Sequence, residues 1–437
     1  MDSSSRDESM SAPFLEHDPA CLNPGRETDQ DWQRWIAKET LSEASSPALQ
    51  TQPVAPQASL LICVGTRPEI IKMAPVYQAL RARGVKTRWL HTGQHDAMAW
   101  PLYDFFSISP DHVIKLERAD DSLSELSATL LRELDHELQR DPPAGVVVHG
   151  DTTSAAMAAL AAFYRRLPVA HVEAGLRSNH PADPFPEEMN RRLIGRLAEW
   201  HFAPTTGARA NLLRESVDEQ QVLVVGNTIV DATRQALATV EAGRPASSVR
   251  ARTLVITAHR RENWGERLTQ VAQAVLQLLA DDGELRAVWP LHGNPKVAHA
   301  VRTVIETAGP SLATRIRLTE PLPYPEMIRV MADSWLILTD SGGIQEEACA
   351  LHVPVLVLRE TTERPELITA GAGLMVGTST PRIVNTVRAL RQDASSYRAM
   401  TQAPNPFGDG QSALRIAAAL HAWLSPDAQI SVGGYQP

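Results

Sequence analysis

From Leu60 onward, short apolar runs closed by Gly, Pro or polar residues alternate with longer segments whose apolar residues recur at helical spacing. Continuous apolar runs fit strands buried on both faces, and helical segments between them fit crossovers, so the pattern demands parallel strands joined by helices. The runs predict strands at Leu60 to Val64, Thr87 to Thr92, Gly145 to His149, Val169 to Glu173 and Trp200 to Ala203. The pattern then begins again, with strands at Val222 to Val225, Leu254 to Thr257, Arg286 to Pro290, Ile316 to Thr319, Trp335 to Thr339, Val355 to Leu358 and Gly373 to Val376. No repeat at solenoid or propeller periods interrupts this.

A chain of 437 residues is long enough for two such units. The reading is an α/β protein with a Rossmann-like unit at 57–225, a second at 226–405, and a closing helix and tail at 406–437. Two units of this kind facing across a cleft would put their strand C-terminal ends, where open α/β sheets bind ligands, on its walls. Residues 1–56 are rich in Ser, Pro, Gln and acidic residues, which bury too little apolar surface to offset ordering entropy, so a flexible tail is expected. Within it, Trp32 and Trp35 can share one face of a short amphipathic helix.

The formal charge of −9 disfavours general affinity for nucleic acid, though local Arg and Lys can still hold a small anionic ligand. No apolar stretch approaches the roughly 20 residues of a membrane span. Cys21, Cys63 and Cys349 lack the spacing of a zinc site or disulfide framework, and no export signal precedes Leu60, so a cytoplasmic protein is expected. With no G-x-G-x-x-G fingerprint or metal-ligand cluster, neither a redox cofactor nor a metal is expected.

The strongest local signal is a strand ending at Thr339, the turn Asp340-Ser341-Gly342-Gly343 and a helix beginning at Ile344. Glycines there let the backbone approach a ligand, and free amides at the helix start attract phosphate, which assigns Ser341, Gly342 and Gly343 to a diphosphate. Glu346 and Glu347, placed in the first turn, either complement the helix dipole or, for Glu347, accept hydrogen bonds from ribose hydroxyls. A second junction, Gly65-Thr66-Arg67-Pro68-Glu69-Ile70-Ile71-Lys72, has the spacing of a capping box. Capping leaves Arg67 and Lys72 unexplained, because cations near a helix start need a compensating anion or carboxylate.

Carboxylates gather at other strand ends. Asp151 follows His149-Gly150, and Glu173 follows His171-Val172. Strand alternation puts His171 and Glu173 on one face, where the two can act together; the alternatives are a helix cap for Asp151 and an ion pair with Arg177 for Glu173. Glu187 and Glu188 open a further helix, and their spacing by itself predicts i,i+4 pairs with Arg191 and Arg192. His259, followed by two arginines, is either part of a solvated charge run or a diphosphate partner.

In order and spacing, these blocks resemble the non-hydrolysing UDP-N-acetylglucosamine 2-epimerases from about Leu60 to Leu424. Val225-Gly226-Asn227-Thr228, Ser341 to Glu347 and Thr361-Thr362-Glu363-Arg364-Pro365-Glu366 strengthen the likeness. The resemblance implies a GT-B-type fold of two Rossmann-like domains, a UDP-sugar substrate and a homodimer. It implies elimination of UDP to 2-acetamidoglucal and re-addition with the proton delivered to the opposite face of C2. Carried over, Asp151, Glu173 and Glu187 match the catalytic carboxylates and His259 the catalytic histidine. Arg67, Lys72, His292, Ser341, Gly342, Gly343, Glu347 and Arg364 match substrate-binding positions. Gln94 and His95 match part of a second nucleotide-sugar site.

Two departures stand out: Gly293, where family members usually carry Leu, and Ala97, where members with the second site often carry Gln or Glu. Competing readings are a hydrolysing epimerase, a GT-B glycosyltransferase and a UDP-sugar-binding protein without activity. The last has no use for the acid-base half of the motifs.

Overall fold

A computed structural model describes residues 59–94, 96–242, 252–258, 260, 263–291, 294–362 and 364–425. The anticipated Trp32–Trp35 helix lies outside them.

Two parallel sheets carry the fold. The first has seven strands, β1 Leu60–Val64, β2 Thr87–His91, β3 His112–Val113, β4 Gly145–His149, β5 Val169–Val172, β6 Trp200–Ala203 and β7 Val222–Val224, in the order β3-β2-β1-β4-β5-β6-β7. The second has six, β8 Thr253–Thr257, β9 Arg286–Pro290, β10 Ile316–Thr319, β11 Leu336–Thr339, β12 Val355–Val357 and β13 Gly373–Met375, in the order β10-β9-β8-β11-β12-β13. Both are Rossmann orders, as a GT-B-type fold requires. β1 and β4 are buried along their whole length, which is why they read as unbroken apolar runs.

Two expectations change. The run at Val222 pairs with β6 and closes the first sheet, where the repeating pattern had it opening the second series. β3 has only two residues, both half-buried, too short and too wet to register as an apolar run.

One apolar cluster runs from the first sheet into the second, taking in Ile62 and Val64 of β1, Val230 and Ala236, Ile328, Ala348 and Val355 of β12. Its centre is the helix Thr228–Glu241, which packs against the helices Arg67–Ala82, Tyr324–Ala332, Gly342–Ala350 and Ser412–Leu424. The closing helix therefore returns to the first sheet, and Trp423 lies where a side chain on Gly145 would stand, 2.8 Å from its Cβ position.

In each sheet the strand order reverses beside the first strand, between the paired neighbours β1 and β4 and between β8 and β11, so the connections leaving these neighbours run to opposite sides. The motif loops leave these strands at their C-terminal ends. Close approach there explains Gly65, whose Cβ would lie 2.1 Å from Thr92 Oγ1 and 2.4 Å from Ser154 Oγ. Gly65→Ala is expected to cost about 1–3 kcal/mol by overpacking, seen as a lower denaturant midpoint at an unchanged slope. A midpoint equal to the parent's would mean that the loop has room to yield.

Candidate active site

At the end of β1, Glu69 accepts from Gly65 N at 3.0 Å and Thr66 N at 2.7 Å, while the Thr152 hydroxyl donates to its other oxygen at 2.7 Å. This carboxylate half of the capping arrangement ties the β1 loop to the β4 loop. Burial pushes Glu69 up to about 7 even against these hydrogen bonds.

The cations left over by capping find carboxylates. Lys72 forms an ion pair with Glu173 from the end of β5, and its Nζ lies 3.0 Å from Glu346 Oε2 on the helix Gly342–Ala350. Glu346 Oε1 accepts from Arg364 Nε at 2.5 Å. No side chain of this chain of charges is more than 9% exposed, so water screens none of it. Asn227, whose Oδ1 caps the helix Thr228–Glu241, donates Nδ2 to Glu173 Oε2 at 2.8 Å. Burial alone would raise Glu173, but Lys72 foremost holds it below the usual carboxylate range. Burial would likewise lower Lys72, yet Glu173 and Glu346 raise it.

Asp151 is gripped by Arg191, with Nε at 2.8 Å and Nη2 at 2.6 Å from Oδ2, and Asn190 Nδ2 donates to its backbone carbonyl at 2.9 Å. Burial raises Asp151 above its ordinary value despite the guanidinium, and the Glu173 charge adds to the shift. Thr152, not Asp151, caps the helix Thr153–Tyr164 through Ala155 N. Arg177 does not pair with Glu173 either; its guanidinium is bidentate to Glu215 at 2.7 and 2.8 Å.

Glu173 lies just past the end of β5 with φ 63°, left-handed backbone that few non-glycine residues adopt. Strand alternation stops there, which separates His171 from Glu173. The His171 Nε2 instead meets Gly150 O at 2.7 Å. The histidine beside Glu173 is His149, with Nε2 3.8 Å from Glu173 Oε2; burial pushes it down to about 4 and keeps it neutral.

Glu187 starts the helix Glu187–Leu197, half-buried and one turn before Arg191, so i,i+4 spacing puts it on the face that reaches Asp151. Glu188 pairs with Arg192 at 3.1 Å, as spacing predicted, and also lies 3.4 Å from Arg191.

On the second sheet, Asp340 is fully buried and accepts from Arg260 N at 3.0 Å and Asn263 Nδ2 at 2.9 Å, fixing the turn after β11. Ser341 N donates to Thr339 Oγ1 at 3.0 Å, and the Ser341 hydroxyl does not cap the helix that follows. Open space surrounds the Gly343 Cβ position, and Arg364 Nη2 lies 3.6 Å from that of Gly342. The helix begins at Gly342, so Glu346 and Glu347 fall in its second turn and do not serve the dipole. Burial pushes Glu347 up to about 8, with Arg67 opposing.

Gln94 Oε1 accepts from Ser154 Oγ at 2.7 Å, and Thr92 Oγ1 lies 2.7 Å from the same hydroxyl, so Gln94 braces the β2 loop against the β4 helix. His95, His259 and His292 lie outside the described residues. The reading by residue type overlooked Arg191, Asn227 and Glu346. Two of them carried a signal, since Asn227 and Glu346 each lie in a motif block of the family likeness.

Comparison with known proteins agrees on one family. The family model described as UDP-N-acetylglucosamine 2-epimerase matches residues 78–421. Over 375 residues the chain is 41% identical to UDP-N-acetylglucosamine 2-epimerase of Salmonella typhimurium, an alignment covering 83% of this chain and 98% of that relative. Among solved structures it is similar to UDP-GlcNAc 2-epimerase from Neisseria meningitidis bound to UDP-GlcNAc, at TM-score 0.76 and 38% identity over 83% of this chain and 99% of that one. The S. aureus MnaA–UDP co-structure gives TM-score 0.76 at 37% identity, over 86% and 100% of the two chains.

The buried charges make a stability test. Lys72→Met leaves Glu173 and Glu346 without their shared cation, which is expected to cost about 3–5 kcal/mol at neutral pH in chemical denaturation. In the parent, the lowered Glu173 adds stability that is present above the ordinary carboxylate value, near ~4.3, and lost as pH falls through its own lower one. In the variant burial raises Glu173, so stability increases as pH falls toward 5 and the gap narrows. A gap that stays constant between pH 5 and 8 would mean that Lys72 contributes packing only.

Proposed function

This chain belongs to the UDP-N-acetylglucosamine 2-epimerase family, and on that premise we propose that it interconverts UDP-N-acetylglucosamine and UDP-N-acetylmannosamine by elimination and re-addition of UDP. The observation that carries this reading is the buried chain Glu173–Lys72–Glu346–Arg364, which joins the carboxylate-bearing strand ends of one sheet to the glycine-opened helix of the other.

The anionic half of the substrate falls to the second sheet. Backbone amides at Gly342 and Gly343 and the free Ser341 hydroxyl receive the diphosphate, with the Arg364 guanidinium beside them. Glu347 takes the ribose hydroxyls. Arg67 and Lys72 supply positive charge from the first sheet, where it stabilises departing UDP.

At the sugar, a carboxylate removes the C2 proton, the C–H electron pair forms the C1–C2 double bond, and the C1–O pair leaves with UDP. The reverse step returns UDP to C1 and a proton to the other face of C2. Such a sequence needs a base and an acid with separated affinities for the proton. Glu173, held down by Lys72, and Asp151, raised by burial, differ in that way. Glu187 completes the carboxylate set, and the family motif assigns His259 to the diphosphate side.

Two buried free thiols, Cys63 and Cys349, fit a cytoplasmic location. Among the described residues no helix is long and apolar enough to cross a membrane. A homodimer fits the outer surface of the first sheet. The helix Thr153–Tyr164 contains no charged residue, and a helix apolar all round calls for cover on both sides. Phe163 and Tyr164 are 54% and 64% exposed, and Met189 and Leu193 face outward on the helix packed beside it.

Glu173→Gln and Asp151→Asn are expected to lower turnover on the order of a hundredfold to ten-thousandfold, with UDP binding retained and deuterium no longer entering C2 in heavy water. Near-normal exchange in both variants would defeat the acid-base assignment, and stoichiometric release of UDP with free N-acetylmannosamine would place the reaction in the hydrolysing class. For the dimer, sedimentation should show the parent at twice the chain mass and Phe163→Glu/Tyr164→Glu at the chain mass. A parent that is monomeric, or a variant still dimeric, would rule out this interface.

A further inference from the structure

We infer that His171 is a positioning residue for the epimerisation chemistry: it fixes the Gly150 carbonyl and so sets the turn that presents Asp151 beside Glu173. The inference rests on the proposed reading of those two carboxylates as the proton-transfer groups.

Gly150 is the only residue between β4 and Asp151, and its φ of 66° makes the turn. Both of its peptide groups are tied to β5. Its N–H donates to Val172 O at 2.9 Å, and its carbonyl meets His171 Nε2 at 2.7 Å. A carbonyl can only accept, so His171 carries its proton on Nε2 and Nδ1 is a bare acceptor. Glu173 follows His171 by two residues, so one short stretch of β5 sets the positions of both carboxylates.

The histidine is expensive as mere filling. It is fully buried, its neighbours Val169, Ala170 and Val172 on β5 are apolar, and Nδ1 has no hydrogen-bond partner among the described residues. An apolar side chain would fill the space without leaving that nitrogen stranded. What an apolar side chain cannot supply is the bond to Gly150. Burial, with the neighbouring His201 charge second, pushes His171 down to about 3, so the ring stays neutral and keeps the donor in place across the working pH range. Arg191 and Asn190 hold Asp151 from the opposite side, which leaves the Gly150–Asp151 peptide as the free element once His171 is removed.

The test compares His171→Leu, which fills the space without a donor, with His171→Gln, whose amide can reach the carbonyl. Expected for the leucine variant is a fall in kcat on the order of tenfold to a hundredfold, with KM and UDP affinity within about twofold and C2 deuterium exchange falling in step with kcat. The glutamine variant should recover part of the loss. Should the leucine variant not fold, His171→Asn, whose amide falls short of Gly150, takes its place. Normal kcat in a variant that merely melts earlier would overturn the inference, as would equal losses in the glutamine and leucine variants. Glu173→Gln is run alongside: if it also retains full turnover, the acid-base reading fails, whereas a dead Glu173→Gln beside an active His171→Leu removes only the clamp.

Discussion

The ion pairing of Lys72 with Glu173 and Glu346 is the constraint on which the rest of the site depends. A lone ammonium taken out of water is costly, and a lone carboxylate equally so. Here each charge is desolvated by the same packing that places its partner. Lys72 comes from the helix after β1, Glu173 from the end of β5, and Glu346 from the helix after β11. The helix Thr228–Glu241 supplies the apolar surface between the sheets, and its cap residue Asn227 supplies a further hydrogen bond to Glu173. Packing and charge pairing therefore require the same juxtaposition of the strand ends.

That juxtaposition needs backbone which ordinary residues resist. Gly65 passes so close to Thr92 and Ser154 that no Cβ fits, and Gly150 turns through positive φ directly before Asp151. Glu173 takes a left-handed conformation without being glycine. A side chain bonded to Lys72 and Asn227 is held firmly enough to keep that conformation, and the result carries its carboxylate off the strand to those two partners.

Much of this was legible in the sequence. Apolar runs located every strand except β3, because parallel strands buried on both faces cannot be polar, and each motif lay where a strand gives way to a helix. The need for a compensating anion or carboxylate near Arg67 and Lys72 followed from the helix dipole alone. The partners did not. Nothing local tells Arg191 that it will meet Asp151, forty residues earlier. Alternation failed at Glu173 because it holds only while the chain stays extended, and it is there that φ changes sign. Glu346 passed for a dipole charge because the helix was taken to begin at Ile344, two residues after its start at Gly342.

The charge balance carries a consequence for the proposed reaction. Lys72 and Arg364 lie against Glu173 and Glu346, so two of the cations proposed for a diphosphate are already matched by carboxylates. On the proposed reading, a ligand bringing two or more negative charges does not enter a bare positive pocket; it competes for Lys72 and Arg364 and weakens their hold on the glutamates. Lys72 is the main force keeping Glu173 below its ordinary value, opposed by burial. On that reading, sharing Lys72 with a diphosphate lets burial prevail, and Glu173 becomes a stronger base as the substrate seats. In this arrangement, nucleotide binding and proton abstraction are coupled through one ammonium group, so the base gains strength only when there is a substrate beside it.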